Sequence, residues 1–240
     1  MKAMLLAAGL GTRLRPLTDT LPKGMVPVAG MPVIEHNLRL ARRHGIEDII
    51  INVHAHPGAI PAYVGDGSRW GLRVGYSREE TLLGTAGAVK RVADRLADGP
   101  FAVVYADNLS DCDLTALLAL HQRSGAMATL GLHQPDDPRV SGIVDVDDDG
   151  RVRGFVEKPR DYDPAMGRWA NAGVYILEPS VLDAIPPDVP CDFGHDIFPR
   201  LLAGGQRLSA AYACTYFFTI DTPERYAATQ DYFARHDAPS

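Results

Sequence analysis

The sequence predicts an α/β protein: a mainly parallel sheet with helices on both faces and an inserted lobe in its second half. Three observations predict this. Residues 3–8 form a continuous apolar run closed by Gly9, as in a strand covered on both faces. Strand-like and helix-like stretches then alternate as far as residue 132, which implies right-handed crossovers. From residue 140 the texture changes to short strands around an acidic turn.

Element by element, a long polar loop follows the first strand, and Pro32 opens a helix whose stripe is Val33, Ile34, Leu38 and Ala41. Gly45 stands where a glycine ends that helix. Strands are expected at 48–53, 72–76, 101–105 and 126–132, with helices at 57–64, 86–96 and 114–123. Residues 143–146 and 152–156 flank a turn ending Asp149-Gly150, a hairpin signal. Beyond it, 172–177 and 212–220 read as strands, 195–202 as a helix and 223–234 as a closing helix. No linker or internal repeat divides the chain. Residues after His236 are expected to fray.

Among 240 residues, 24 basic and 30 acidic side chains leave a net charge of −6, so the basic footprint of nucleic-acid binding is absent. An anionic ligand must then be held by a local basic cluster. Hydrophobic residues at 46% and charged residues at 22% exclude a disordered or collagen-like chain. No apolar run approaches the ~18 residues of a membrane span. The 3 cysteines are an odd number without C-x-x-C spacing, which supports neither a disulfide framework nor zinc and fits a reducing compartment. The apolar start runs into Gly11-Thr12-Arg13-Leu14-Arg15 instead of a small-residue cleavage site, so it is read as the first strand of a cytoplasmic protein.

The strongest chemical signal is the loop Gly9-Leu10-Gly11-Thr12-Arg13-Leu14-Arg15-Pro16, followed by Thr18 and Leu21-Pro22-Lys23. Glycines after a first strand let backbone N–H groups approach phosphate oxygens. Arg13 and Arg15 add charge-assisted donors, and Lys23 a mobile point charge. The dinucleotide fingerprint would need glycine at Leu14, and the Walker Gly-Lys-Ser/Thr is missing.

The whole string, continued by Pro22-Lys23-x-Met25-x-Pro27-Val28-x-Gly30-x-Pro32, resembles the signature of the sugar-phosphate nucleotidyltransferases. Four further segments follow in family order. They are Leu83-Gly84-Thr85-Ala86-Gly87-Ala88, Ala106-Asp107-Asn108, Phe155-Val156-Glu157-Lys158-Pro159 and Asn171-Ala172-Gly173-Val174-Tyr175. The resemblance implies a Rossmann-like nucleotidyltransferase fold in a single domain. Its nucleotide-binding part covers about 1–135, its sugar-phosphate part about 136–222, and a helix at 223–236 closes it. It further implies catalytic roles for Arg13 and Lys23, which hold the triphosphate and stabilise leaving pyrophosphate. The nucleotide would be bound by Leu6, Ala8, Gly9, Gly11, Thr12, Gly84, Thr85 and Asn108. The sugar phosphate would be bound by Gly142, Glu157, Lys158 and Asn171.

Magnesium is the implied cofactor, with Asp107 as a ligand, because a hard ion that keeps its waters needs few carboxylates. The family's second metal Asp aligns with Thr219, and Asp221 lies two residues on. A strand period of two would put both on one side, making Asp221 the ligand, while the alternative is an N-cap before Pro223. Ligands are therefore an NTP and a sugar 1-phosphate, without nucleic acid or membrane, and a homodimer is compatible. The expected reaction releases pyrophosphate and makes an NDP-sugar in a short form lacking the appended β-helix domain of some relatives. The 83–88 loop and Asp192-Phe193-Gly194-His195-Asp196 look most like guanylyltransferases for mannose or heptose 1-phosphate, so GTP is favoured. Uridylyl or thymidylyl transfer is the alternative, and a non-catalytic binding relative another.

Other features are discounted. Asp145, Asp147, Asp149 and Gly150 imitate a calcium loop, but position 12 is Val156, so an acidic hairpin turn is preferred. His54 and His56 lack a third metal ligand at recognisable spacing.

Overall fold

Residues 1–236 are described in the computed structural model. In chain order the elements are β1 (Lys2–Leu6), β2 (Pro27–Val28), β3 (Met31–Pro32), α1 (Val33–Arg43), β4 (Asp48–Val53), α2 (Ala59–Val64) and β5 (Arg73–Arg78). Next come α3 (Gly84–Lys90), α4 (Ala93–Leu96), β6 (Phe101–Tyr105), β7 (Asn108–Ser110), α5 (Leu114–Ser124), β8 (Ala128–His133), β9 (Gly142–Val146) and β10 (Val152–Glu157). The chain continues through β11 (Trp169–Leu177), α6 (Phe198–Ala203), β12 (Leu208–Tyr212), β13 (Phe217–Thr219) and α7 (Pro223–Arg235). The α/β class is as expected. Two compact units share it, the first comprising Met1–Leu82, Val104–Asp111 and the chain from Tyr216, the second Leu83–Val103 and Cys112–Thr215.

In the first unit, β1 pairs parallel with β4, and β4 with β5, as strands joined by helical crossovers must. Apolar residues at 49–51 leave no solvent face on β4, and all three are buried. α1 ends in a Schellman motif: Gly45 N–H donates to Arg42 O and Ile46 N–H to Ala41 O, with Gly45 at φ 70°. A core of Leu14, Val26, Val28, Val33, Leu109, Ile220 and Phe233 ties the first loop to the C-terminal helix.

The second unit holds three antiparallel pairs, β9 with β10 and β11 with β8 and β9, while β12 runs parallel to β8. Its centre is aromatic, with Tyr175, Phe193 and Phe198 rings 5.0–5.5 Å apart. The expected hairpin forms, and Asp147 holds its turn by accepting from the backbone N–H of Asp149 and Arg151.

Several element ends shift by up to three residues, and three elements differ in kind from expectation. The helix expected over 86–96 is two, broken at Val92 (φ −111°, ψ 21°), and Val89, Val92 and Leu96 are all buried. The strand expected over 212–220 is the end of β12, a connection and β13. Asp113 N–H bonds Ala213 O, and Tyr216 N–H bonds the Asp111 carboxylate, which diverts this backbone from a continuous ladder. The helix expected over 195–202 starts as a π-helical turn at Phe193–Ile197. Among the described residues, no helix is long and apolar enough to cross a membrane.

Candidate functional site

In the first unit the glycine loop leaves β1 and is held from below. Leu6 and Ala8 are buried, and Ala7 N–H donates to Asn52 Oδ1 at 2.6 Å. Asn52 in turn donates to the buried Glu79 at 2.6 Å. Gly9 faces open space, with no heavy atom within 4 Å of where its Cβ would stand. Gly11 is glycine for a local reason: it lies at φ 65°, and a Cβ would meet Thr18 Cγ2 at 2.9 Å. Thr18 donates its hydroxyl to Gly11 O at 2.7 Å, and Thr12 opens a 3-10 turn that buries Leu14. That burial explains why position 14 is not glycine. Arg15 is paired with Asp19 on the surface.

Two of this unit's cation–carboxylate pairs involve Arg13 of the loop and Lys23 beyond it. Lys23, almost buried, places Nζ 2.6 Å from Asp107 Oδ2. Asp107 follows β6, at the C-terminal end of a strand, where α/β sheets bind ligands. Arg13, 70% exposed, reaches Asp221 Oδ2 at 2.8 Å. The N-cap alternative for Asp221 is corrected: Thr222 caps α7 by accepting from Arg225 N–H at 3.3 Å. The strand-period argument is corrected too, since β13 ends at Thr219. Instead Thr219 Oγ1 and Arg225 both donate to Asp221 Oδ1, at 2.9 and 3.3 Å. Burial pushes the Asp221 carboxyl up, but the Thr219 hydroxyl and the charges of Arg225, Arg13 and Lys23 outweigh it and hold it below its ordinary value. Asn108 opens β7 and lies opposite Thr219 in the β7–β13 ladder.

In the second unit Gly84 sits at φ 71°, and a Cβ there would lie 2.6 Å from Cys191 O. The glycine is thus demanded by neighbouring backbone, and Gly84→Val would disturb the loop itself. Ala86 and Gly87 donate to Cys191 O, and Cys191 N–H to Leu83 O. Thr85 does not cap the helix. Its hydroxyl donates to Asp192 Oδ1 at 2.9 Å and accepts from Phe193 N–H at 2.9 Å.

Glu157, at the end of β10, is clasped by two glycines. A Cβ on Gly142 would meet Glu157 Oε2 at 2.5 Å, and one on Gly194 would clash with the same oxygen. Lys158 holds φ 47°, an uncommon conformation that costs about 1 kcal/mol or more in a non-glycine residue. Its Nζ lies 3.2 Å from Glu157 Oε1 and remains 57% exposed. A bulge in β11 sets Asn171. Gly173 N–H donates to Asn171 Oδ1 at 2.9 Å, while Asn171 Nδ2 donates to the buried Tyr175 hydroxyl at 2.8 Å.

The first unit thus gathers Arg13, Lys23, Asp107, Asn108 and Asp221, and the second gathers Gly84 with Thr85 and Gly142 with Glu157 and Lys158. Sequence reading overlooked Asn37, Asn52 and Arg225, and it took Gly194 only as part of the 192–196 stretch, without its contact to Glu157. Asn52 carried a signal, a polar residue inside the apolar run 49–53. As to metal, Asp107 is 34% exposed and engages Lys23 through one oxygen, so its donor chemistry suits a hard cation. Asp221 fits only if Arg13 releases Oδ2.

The family model described as Nucleotidyl transferase matches residues 2–217. A UTP–glucose-1-phosphate uridylyltransferase from Synechocystis sp. is 40% identical over 218 residues, covering 85% of this chain and 56% of the relative. A mannose-1-phosphate guanylyltransferase from Mycobacterium tuberculosis is 38% identical over 239 residues, covering 99% of this chain and 66% of the relative. The chain therefore spans less than two thirds of the length of these curated relatives. HddC from Yersinia pseudotuberculosis, solved with GMP-PN, superposes with a TM-score of 0.80 at 26% identity, covering 97% of this chain and 99% of that one. The match over nearly the whole chain, together with the loop, the aspartate and the Glu-Lys segment, places this chain in the nucleotidyl transferase family.

Proposed function

We propose that the chain transfers a nucleoside monophosphate from an NTP, with GTP favoured, to a sugar 1-phosphate, releasing pyrophosphate and leaving an NDP-sugar. The observation that carries this reading is the pairing of Lys23 with Asp107 and of Arg13 with Asp221 behind an open glycine loop. A phosphate oxygen of the sugar 1-phosphate attacks the α-phosphorus, and the bond to the bridging oxygen of pyrophosphate breaks. No general base is required, since the attacking phosphate is already ionised near neutral pH.

Arg13 and Lys23 hold the triphosphate and neutralise the charge gathering on pyrophosphate. Asp107, with Asp221 once Arg13 turns to phosphate, would hold magnesium; the bound ion supplies charge neutralisation across the phosphate oxygens. Lys158 grips the sugar phosphate, while Glu157 and Asn171 accept and donate to sugar hydroxyls. Gly84 and Thr85 line the base. A reducing, cytoplasmic setting accords with three buried free cysteines, Cys112, Cys191 and Cys214.

UTP with glucose 1-phosphate is the second reading, favoured by the relative at 40% identity. Four nucleoside triphosphates tested against several sugar 1-phosphates, read by pyrophosphate release, decide both questions. Turnover with GTP and mannose or heptose 1-phosphate, lost in Asp107→Asn, is the expected result. Nucleotide binding without pyrophosphate from any pair would leave a binding module instead.

A further inference from the structure

Asn37 lies in the middle of α1, only 3% exposed. Its side-chain amide donates to three carbonyls. One is Val33 O within its own helix at 3.1 Å. The other two are Asn108 O at 3.0 Å and Ala106 O at 3.4 Å. These last two carbonyls flank Asp107 on either side. A buried amide that bridges the backbone before and after one carboxylate fixes where that carboxylate leaves the chain.

The same helix seats the Lys23 side of the pair. Val33 N–H donates to Val26 O at 3.1 Å, at the end of the turn Lys23–Met25. A Cβ on Gly24 would stand 3.7 Å from Ile34 Cβ and 4.0 Å from Ala106 O, so this turn packs on α1 and on the residue before Asp107. Asn108 then registers with Thr219, which donates to Asp221. One buried amide therefore braces the backbone on both sides of Asp107, including the β7 residue that registers with Thr219.

We propose that Asn37 is a positioning residue for Asp107, setting its carboxylate against Lys23 and against a divalent cation. The cation rests on the proposed function, and the placement of the 106–108 backbone does not. Leucine at 37 keeps the volume but removes both donors, so the Ala106 and Asn108 carbonyls lose the Asn37 amide that bridges them and the turn loosens. Aspartate at 37 replaces donors by an acceptor facing carbonyls, a second perturbation of the same contact.

The test uses Asn37→Leu and Asn37→Asp, with three readouts. Backbone amide exchange over 106–110 should quicken by tenfold or more in both. Manganese affinity, read by electron paramagnetic resonance with a non-hydrolysable GTP analogue, should weaken about tenfold. KM for the sugar 1-phosphate, whose proposed ligands lie in the other unit, should stay within twofold. Unchanged exchange and manganese affinity in both folded variants would overturn the proposal. So would a general collapse in which KM for the sugar phosphate and melting temperature shift as much as the metal readout. If the wild type binds no manganese, the metal reading of the proposed function fails. The exchange readout then decides the positioning of Asp107 by itself: quickening over 106–110 supports it, and no change overturns it.

Discussion

The charges divide by when they matter in the proposed reaction. Lys23 faces charge that grows as pyrophosphate leaves, so Lys23→Ala should lower kcat by about 10² or more. Lys158 meets a charge present in ground and transition state alike, so Lys158→Ala should raise KM for the sugar phosphate and spare kcat. A collapse of kcat at constant KM in Lys158→Ala would reverse the assignment. Asp221 is a sharper case, because both its oxygens are engaged, Oδ1 by Thr219 and Arg225, Oδ2 by Arg13. An asparagine there keeps an acceptor for Thr219 but ligates magnesium poorly. Asp221→Asn should therefore multiply the magnesium concentration for half-maximal activity roughly tenfold or more while leaving melting within a few degrees. Because Thr222 and not Asp221 caps α7, loss of a helix cap does not complicate the comparison. An unmoved magnesium requirement would remove Asp221 from the metal.

At the scale of elements, the two glycines around Glu157 give a prediction that separates shape from stability. The atom a Gly194 Cβ would strike is the far end of a flexible carboxylate side chain, so the chain can yield by moving Glu157. Gly194→Ala should leave melting within a few degrees and raise KM for the sugar phosphate several-fold, because the carboxylate leaves its place. Large destabilisation with unchanged KM would show that the glycine serves packing alone. What was legible in the sequence follows the same division between local and long-range causes. β4 and β6 keep the bounds expected from the sequence, 48–53 and 101–105, and Gly45 ends α1 as local backbone chemistry requires. The break at Val92 and the interruption at 213–216 were not legible, since no glycine or proline marks them, and the bonds that decide the second come from Asp111 and Asp113. Of the site, Arg13, Lys23, Asp107 and Glu157 stood in a recognisable order. The residues that aim them, Asn37 and Gly194, belong to elements whose meaning depends on which strand lies alongside.

For the whole molecule, acid should destabilise in two stages, and the direction follows from groups held below their ordinary pKa. Burial pushes His121 below 6.5, against the opposing pull of Glu178. Burial likewise lowers His36, although Val28 O and Glu35 pull it up and Arg39 and Arg43 push it down. His121 is 1% exposed, with Thr129 Oγ1 2.9 Å from Nδ1 and Glu178 Oε1 3.1 Å from Nε2. A neutral ring satisfies both contacts, with Nε2–H donating to the carboxylate and Nδ1 accepting from the hydroxyl. A group whose folded pKa lies below its unfolded one contributes stability above the unfolded value and loses it as pH falls toward the folded one. The histidines therefore begin to weaken the fold as pH drops through about 6.5. Asp48, held down by Arg73 against slight desolvation, and Asp221 follow as pH drops through about 4. For a chain of this length, each ~1 kcal/mol lost lowers the melting temperature by about 2–4 °C. Melting followed from pH 7.5 to 3.5 should thus decline first below about 6.5 and again at about 4. In His121→Gln the first decline should shrink while the second persists, because glutamine can still meet Thr129 and Glu178 but binds no proton. A melting temperature that rises between pH 7 and 5, or a first decline untouched by His121→Gln, would take the buried histidine out of the account of acid stability.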